Sequence, residues 1–144
     1  MPSVERTITV QQPIDKVWAY LSDFTTTEEW DPPTVSTERT SGDGGVGTTY
    51  HNVSKILGTE QEVDYRVTQY EEGRLLQLEG DAGSVKLLDT ITVEPTADGG
   101  TSLTYHAEFN PVGAAKLATP VLPAALKVLG DKVAQSLQEH LEKL

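Results

Sequence analysis

The chain has 144 residues and no cysteine, with 22 Asp plus Glu against 11 Lys plus Arg, for a formal net charge of −11. One domain of this size buries about 70% of the surface its unfolded chain exposes, and without cysteine no disulfide, thiolate zinc site or thiol nucleophile is available. An acidic surface repels phosphate backbones and anionic bilayers, which argues against nucleic acid and membrane surfaces as partners and leaves an apolar small molecule unaffected.

"MPSVERTITV" lacks a basic segment followed by an apolar one. No apolar run approaches the ~18 residues of a spanning helix. The expectation is a soluble, cytoplasmic protein with a single domain over residues 1–144 and no stable membrane anchoring.

"SVERTITV" (3–10) alternates, with Val4, Ile8 and Val10 on one face and Glu5, Thr7 and Thr9 on the other, as a half-buried strand does. Arg6 falls on the apolar side. Pro13 suits the first turn of a helix and Asp15 its positive dipole end, so a helix is predicted over Pro13–Ser22. Thr25 to Glu28 and Thr26 to Glu29 both have capping-box spacing, which starts a second short helix near Thr26; Asp31-Pro32-Pro33 ends it.

Beyond the prolines the period turns to two. Strands are predicted at Val35–Thr40, Thr48–Ile56, Gln61–Tyr70, Arg74–Glu79, Val85–Glu94 and Thr101–Phe109, separated by the turn sequences "SGDGG", "EEGR", "GDAG" and "ADGG". Leu122, Leu126, Val133, Leu137, Leu141 and Leu144 then recur at helical spacing, with Pro123 near the helix start. The order is strand, two short helices, six strands and one long helix: an α+β protein whose antiparallel sheet is covered by the helices. Trp18 and Trp30 are expected to close one end of that sheet.

"VWAYLSDFTTTEEWDP", "GVGTTY", "TITVEPTADGGTSLTYHAEF" and the long terminal helix together resemble the bacterial polyketide cyclase/dehydrase and lipid-transport family. That family belongs to the START / Bet v 1-like (SRPBCC) superfamily. The resemblance covers nearly the whole chain. It implies the helix-grip fold: a seven-stranded antiparallel sheet wrapped around the last helix, with a hydrophobic cavity between them. Family members include lipid and hormone carriers and aromatase/cyclases.

The residues themselves bear on such a cavity. Gly130 stands on the apolar stripe of the last helix, where glycine costs roughly 1 kcal/mol against alanine; it leaves space beneath the helix for a ligand, or it permits close packing or a bend. Leu103, Tyr105, Ala107 and Phe109 share a face, as do Val63, Tyr65 and Val67, and Ile91 and Val93. Asp89 shares parity with Ile91 and so points inward, unless a register change in "VKLLDT" turns it out. A buried carboxyl must be paired, hydrogen-bonded or protonated. Arg6 is the other inward charge; the two can pair, or one can hold the polar end of a ligand. The candidate ligand-binding set is Trp30, Tyr65, Leu78, Asp89, Tyr105, Phe109, Leu122, Leu126 and Gly130.

"GDGGVG" (42–47) fits GxGxxG literally, but a strand follows where the phosphate-binding motif needs a helix. Asn52-Val53-Ser54 is a glycosylation sequon that is expected to be idle, since no secretory signal is expected. His51, His106 and His140 lie far apart without metal-ligand spacing, and no metal or cofactor is expected. A cyclase or aromatase needs acid-base groups near the reacting carbon; Tyr65, Asp89 and Tyr105 are the catalytic candidates, with His51 if its strand turns it inward. A carrier or sensor needs only shape, apolar walls and one or two anchors, and the residues meet that requirement more fully. A third possibility is a protein-interaction module with a vestigial cavity. The partner expected is therefore a hydrophobic or aromatic small molecule, with the oligomeric state left open.

Overall fold

The computed structural model describes residues 2–56, 58–113 and 122–144. β1 (Ser3–Val10) leads into α1 (Ile14–Leu21), a 3-10 turn (Phe24–Thr26) and α2 (Thr27–Trp30). Six strands follow: β2 (Thr34–Ser41), β3 (Thr49–Ile56), β4 (Thr59–Glu71), β5 (Leu75–Asp81), β6 (Val85–Pro95) and β7 (Thr101–Pro111). α3 (Leu122–Glu142) comes last. The strands form one antiparallel sheet in the order β1-β7-β6-β5-β4-β3-β2. Consecutive strands pair from β2 to β7, as short turns dictate. β1 instead pairs with β7, because α1 and α2 carry the chain from one edge of the sheet to the other.

The alternation in the sequence becomes the inner face. Val63, Tyr65 and Val67 on β4, Leu87, Asp89, Ile91 and Val93 on β6, and Leu103, Tyr105 and Ala107 on β7 are all buried. β6 keeps an unbroken register with both neighbours through Leu87, Leu88 and Asp89, so no bulge turns Asp89 outward. In the "GDGGVG" turn, Gly42, Gly44 and Gly47 have φ of 92°, 106° and 91°, the left-handed region that glycine enters without strain. Among the described residues, no helix is long and apolar enough to cross a membrane.

α1 buries Val17, Trp18 and Leu21 on one stripe. Pro13 precedes the helix in extended conformation, and its carbonyl accepts the Lys16 and Val17 amides. The anticipated capping box is not formed. Asp23 caps the next turn by accepting the Thr25 amide at 3.1 Å, while Glu28 takes the Thr37 amide at 2.8 Å and Glu29 the Tyr20 hydroxyl at 2.6 Å. Aspartate is as good an N-cap as threonine, and both glutamates find donors on other segments.

α3 buries Leu126, Val133, Leu137 and Leu141, whereas Leu144 lies beyond its end and is exposed. Gly130 has a definite reason to be glycine. A Cβ there would stand 2.3 Å from Val4 Cγ2 and 3.1 Å from the guanidinium carbon of Arg6. Of the readings the sequence leaves open at Gly130, close packing of α3 on β1 holds and space for a ligand does not, so its place in the candidate ligand-binding set is corrected. Arg6 is likewise not the partner of Asp89. Its Nε donates to Asp131 Oδ1 at 3.1 Å and its Nη2 to the Lys127 carbonyl at 3.2 Å, tying β1 to α3.

This packing predicts the effect of Gly130→Ala. Alanine gains about 1 kcal/mol of helix propensity, but its methyl overpacks the contact with β1 at a cost of about 1–3 kcal/mol. The expected net result is a lower urea midpoint; a raised midpoint would show that α3 lifts off β1 without strain.

Candidate functional site

A cavity of about 160 Å³ lies between the inner face of the sheet and α3. Leu87 and Phe109 from the sheet, Pro33 after α2, and Ala125, Leu126 and Leu129 on α3 form its apolar wall. Asp31, Ser54, Tyr65, Asp89 and Tyr105 are the polar fixtures, and Lys55, an exposed residue, stands at the rim.

Strand register sets this wall. Tyr65, Gly80, Leu87 and Phe109 are aligned across β4, β5, β6 and β7. A Cβ on Gly80 would fall 2.7 Å from Tyr65 Cε1 and 3.1 Å from Leu87 Cβ, so the glycine gives the Tyr65 ring its place against the sheet. Phe24 holds the same ring edge-on, at a centroid distance of 5.0 Å. In the neighbouring row, Asp89 lies between Leu78 and Ala107. It is 6% exposed, a carboxyl set among apolar side chains.

Asp31 reaches the cavity from the end of α2. Pro32 disfavours the helical region for the residue before it, and Asp31 accordingly leaves the helix with φ −98° and ψ 106°. Its Oδ2 accepts the Thr34 hydroxyl at 2.6 Å. Burial pushes the Asp31 carboxyl up to about 6, and the Thr34 hydrogen bond opposes the rise. Asp89 goes further. Desolvation first, and repulsion from Asp31 second, push it up to about 8, against the moderating Tyr65 hydroxyl within hydrogen-bonding reach. Asp89 is therefore predominantly a neutral acid at pH 7. Burial, and the nearby carboxyls after it, also raise the Tyr65 and Tyr105 phenols, which stay protonated.

β3 explains why its sequence has no clean apolar face. Tyr50, Asn52 and Ser54 all point inward and are buried. The Ser54 hydroxyl donates to Asn52 Oδ1 at 2.6 Å, and Asn52 Nδ2 donates to Thr37 Oγ1 at 2.7 Å. The Thr37 and Thr27 hydroxyls are 2.7 Å apart, and Thr27 donates to the Phe24 carbonyl at 2.8 Å. The polar ladder satisfies itself, as buried polar groups must, and it buries the asparagine of the sequon.

Of the candidate residues, Tyr65, Asp89, Tyr105, Phe109 and Leu126 come together on the cavity wall. Trp30 and Leu78 do not touch it. Trp30 is fully buried behind Tyr105, edge-on at 5.9 Å and 79°, with its Nε1 donating to Thr26 Oγ1 at 3.1 Å. Leu78 is fully buried beside Asp89 in the sheet. The Leu122 side chain lies outside the described residues. His51 faces away from the cavity: Nδ1 lies 3.0 Å from Asp64 Oδ1 and Nε2 lies 3.2 Å from Glu62 Oε1. Both ring nitrogens are occupied on the outer face, which corrects its candidacy as an internal base.

The sequence reading missed Asp31, Ser54, Leu87 and the α3 flank of Ala125 and Leu129. A signal existed for two of these. An acid fixed between Trp30 and Pro32 has a constrained direction, and Ala125 and Leu129 are one helical turn apart beside Leu126.

A search of curated proteins finds no match. Among solved structures, a START superfamily protein from Mycobacterium smegmatis superposes with a TM-score of 0.82 at 14% identity, covering 98% of this chain and 97% of that one. The Zhui aromatase/cyclase from a Streptomyces species gives 0.74 at 17% identity, covering 96% and 94%. A conserved protein from Geobacillus kaustophilus gives 0.71 at 19%, covering 98% and 95%. At these identities the likeness concerns the fold, the START / Bet v 1 helix grip. The family model for polyketide cyclase / dehydrase and lipid transport matches residues 1–142, and the chain belongs to that family.

Proposed function

We propose that this protein binds a small hydrophobic or aromatic molecule beneath α3, as a carrier or sensor. The observation that carries the reading is the cavity itself: apolar over most of its wall, with two carboxyls and two phenols as fixtures. Its size limits the occupant. A cavity of about 150 Å³ suffices for benzene, so 160 Å³ accommodates one ring, or the ring-bearing end of a longer molecule.

A second reading, an enzyme of the cyclase type, has one observation in its favour. A neutral Asp89 beside Tyr65 can donate a proton toward a ligand carbonyl while Tyr105 polarises it. The interaction-module reading draws less support, because among the described residues the large exposed apolar side chains, Val35, Val46, Val128 and Leu144, belong to different segments.

Native mass spectrometry of the gently purified protein, followed by analysis of its organic extract, tests the binding reading. The expected result is a stoichiometric adduct that extraction releases as an apolar compound. An apo mass that persists after incubation with candidate ring compounds counts against it.

A further inference from the structure

Asp31 and Asp89 face the same cavity from different elements, and neither forms an ion pair among the described residues. Arg6 is taken by Asp131, Arg66 by Glu79, Arg74 by Glu71 and Lys86 by Asp81. His51 goes to Glu62 and Asp64. Lys55 at the rim is exposed and pairs with neither acid. Two acids on one cavity without a cation are costly, because each raises the cost of ionising the other. Tyr105, 7% exposed and on the cavity wall, makes no side-chain hydrogen bond to another described residue. The rings of Tyr65, Tyr105 and Phe109 complete an aromatic surround.

A neutral ligand with one carbonyl has use for one acid, and a second would only add to the cost. An ammonium group uses both. It neutralises the pair, donates up to three hydrogen bonds and gains from aromatic faces nearby. We propose that the molecule bound here is a small amine: an apolar ring against Phe109, Leu126 and Leu129, with its ammonium shared by Asp31 and Asp89. This rests on the ligand-binding reading above and names its ligand class.

The proton balance is explicit. Among the described residues, the titratable groups that share the cavity wall with Asp89 are Asp31 just after α2, Tyr65 from β4 and Tyr105 from β7, with Lys55 at the rim. Asp89 keeps its proton to about pH 8 in the protein alone. An ammonium binding at pH 7 meets a carboxylic acid, whose proton leaves for solvent as the carboxylate–ammonium pair forms. Amine binding therefore releases protons, and an uncharged ligand releases none.

The test uses the full chain with benzylamine and benzyl alcohol, which have the same ring and the same number of heavy atoms. NMR titration gives the affinities, and calorimetry in two buffers of different ionisation enthalpy gives the proton count. The expected result at pH 7 is benzylamine binding about tenfold tighter or better, with proton release for the amine alone. The preference should vanish near pH 4, where both acids are protonated. It should fall in Asp89→Asn, and also in Asp31→Asn, a half-buried position that serves if the first variant is poorly folded. Benzyl alcohol binding as tightly as the amine would overturn the amine proposal and leave the ligand-binding reading standing. Failure of both compounds to perturb the cavity residues at millimolar concentration would overturn both.

Discussion

Replacing Asp89 with asparagine is expected to stabilise the protein at pH 8 while changing little at pH 4. The folded-state carboxyl titrates at about 8 against an ordinary 3.8. Below the lower value both folded and unfolded chains hold the proton, and burial of the neutral acid costs nothing that depends on pH. Between the two values the unfolded chain releases a proton that the folded chain keeps. Wild-type stability then falls by about 1.4 kcal/mol per pH unit across that window. Asparagine has the size and shape of the neutral acid and never ionises. The difference between variant and wild type should therefore open from near zero to several kcal/mol as pH rises, read from urea midpoints. Asp31, raised to about 6, works in the same direction over the lower part of the window and is present in both proteins. Parallel pH profiles would contradict the burial argument. A site that lowers stability in this way is expected where function, not packing, selects the residue.

Trp30→Ala should be the most damaging single truncation near the cavity, although Trp30 does not line it. The indole is 1% exposed, its N–H is bonded to Thr26, and it meets the Tyr105 ring in an edge-on arrangement at 5.9 Å. Removing a buried aromatic of this kind costs about 3–5 kcal/mol, partly through the hole it leaves. The ring of Tyr105 borders that hole and should move into it, enlarging the cavity and displacing one of its polar fixtures. Thermal or urea unfolding measures the first effect. A loss below 1 kcal/mol would mean that the surrounding side chains collapse into the space.

The sheet and helices were legible because most inner-face positions are apolar and alternate cleanly; Val63, Tyr65 and Val67 on β4 are enough to fix which way Tyr65 points. On β3 the same principle failed. Its inward residues Asn52 and Ser54 are polar, and the partners that make their burial tolerable sit on β2 and α2, at distances in sequence that no local pattern reports. Asp89 was legible through parity, yet Leu87-Leu88 left its facing open until the register on both sides was seen to be regular. Gly130 was ambiguous for a physical reason. A glycine on an apolar stripe looks the same in sequence whether the space beside it is empty or filled by another element, and here the Val4 and Arg6 side chains of β1 fill it. Asp31 was read as the end of a helix, which it is; that the same turn also brings it to the wall of the cavity that Asp89 lines depends on how α2 packs over the sheet.

That a proton-holding acid stands in the wall of an apolar cavity is tested most directly by following the side-chain carboxyl carbons of Asp31 and Asp89 by NMR across pH 3 to 10. The predicted result is an Asp89 midpoint near 8 and an Asp31 midpoint near 6, with the Asp89 midpoint moving downward in Asp31→Asn. An Asp89 midpoint near the ordinary 3.8 would contradict it, because a carboxyl that ionises so readily is solvated and not enclosed beneath α3.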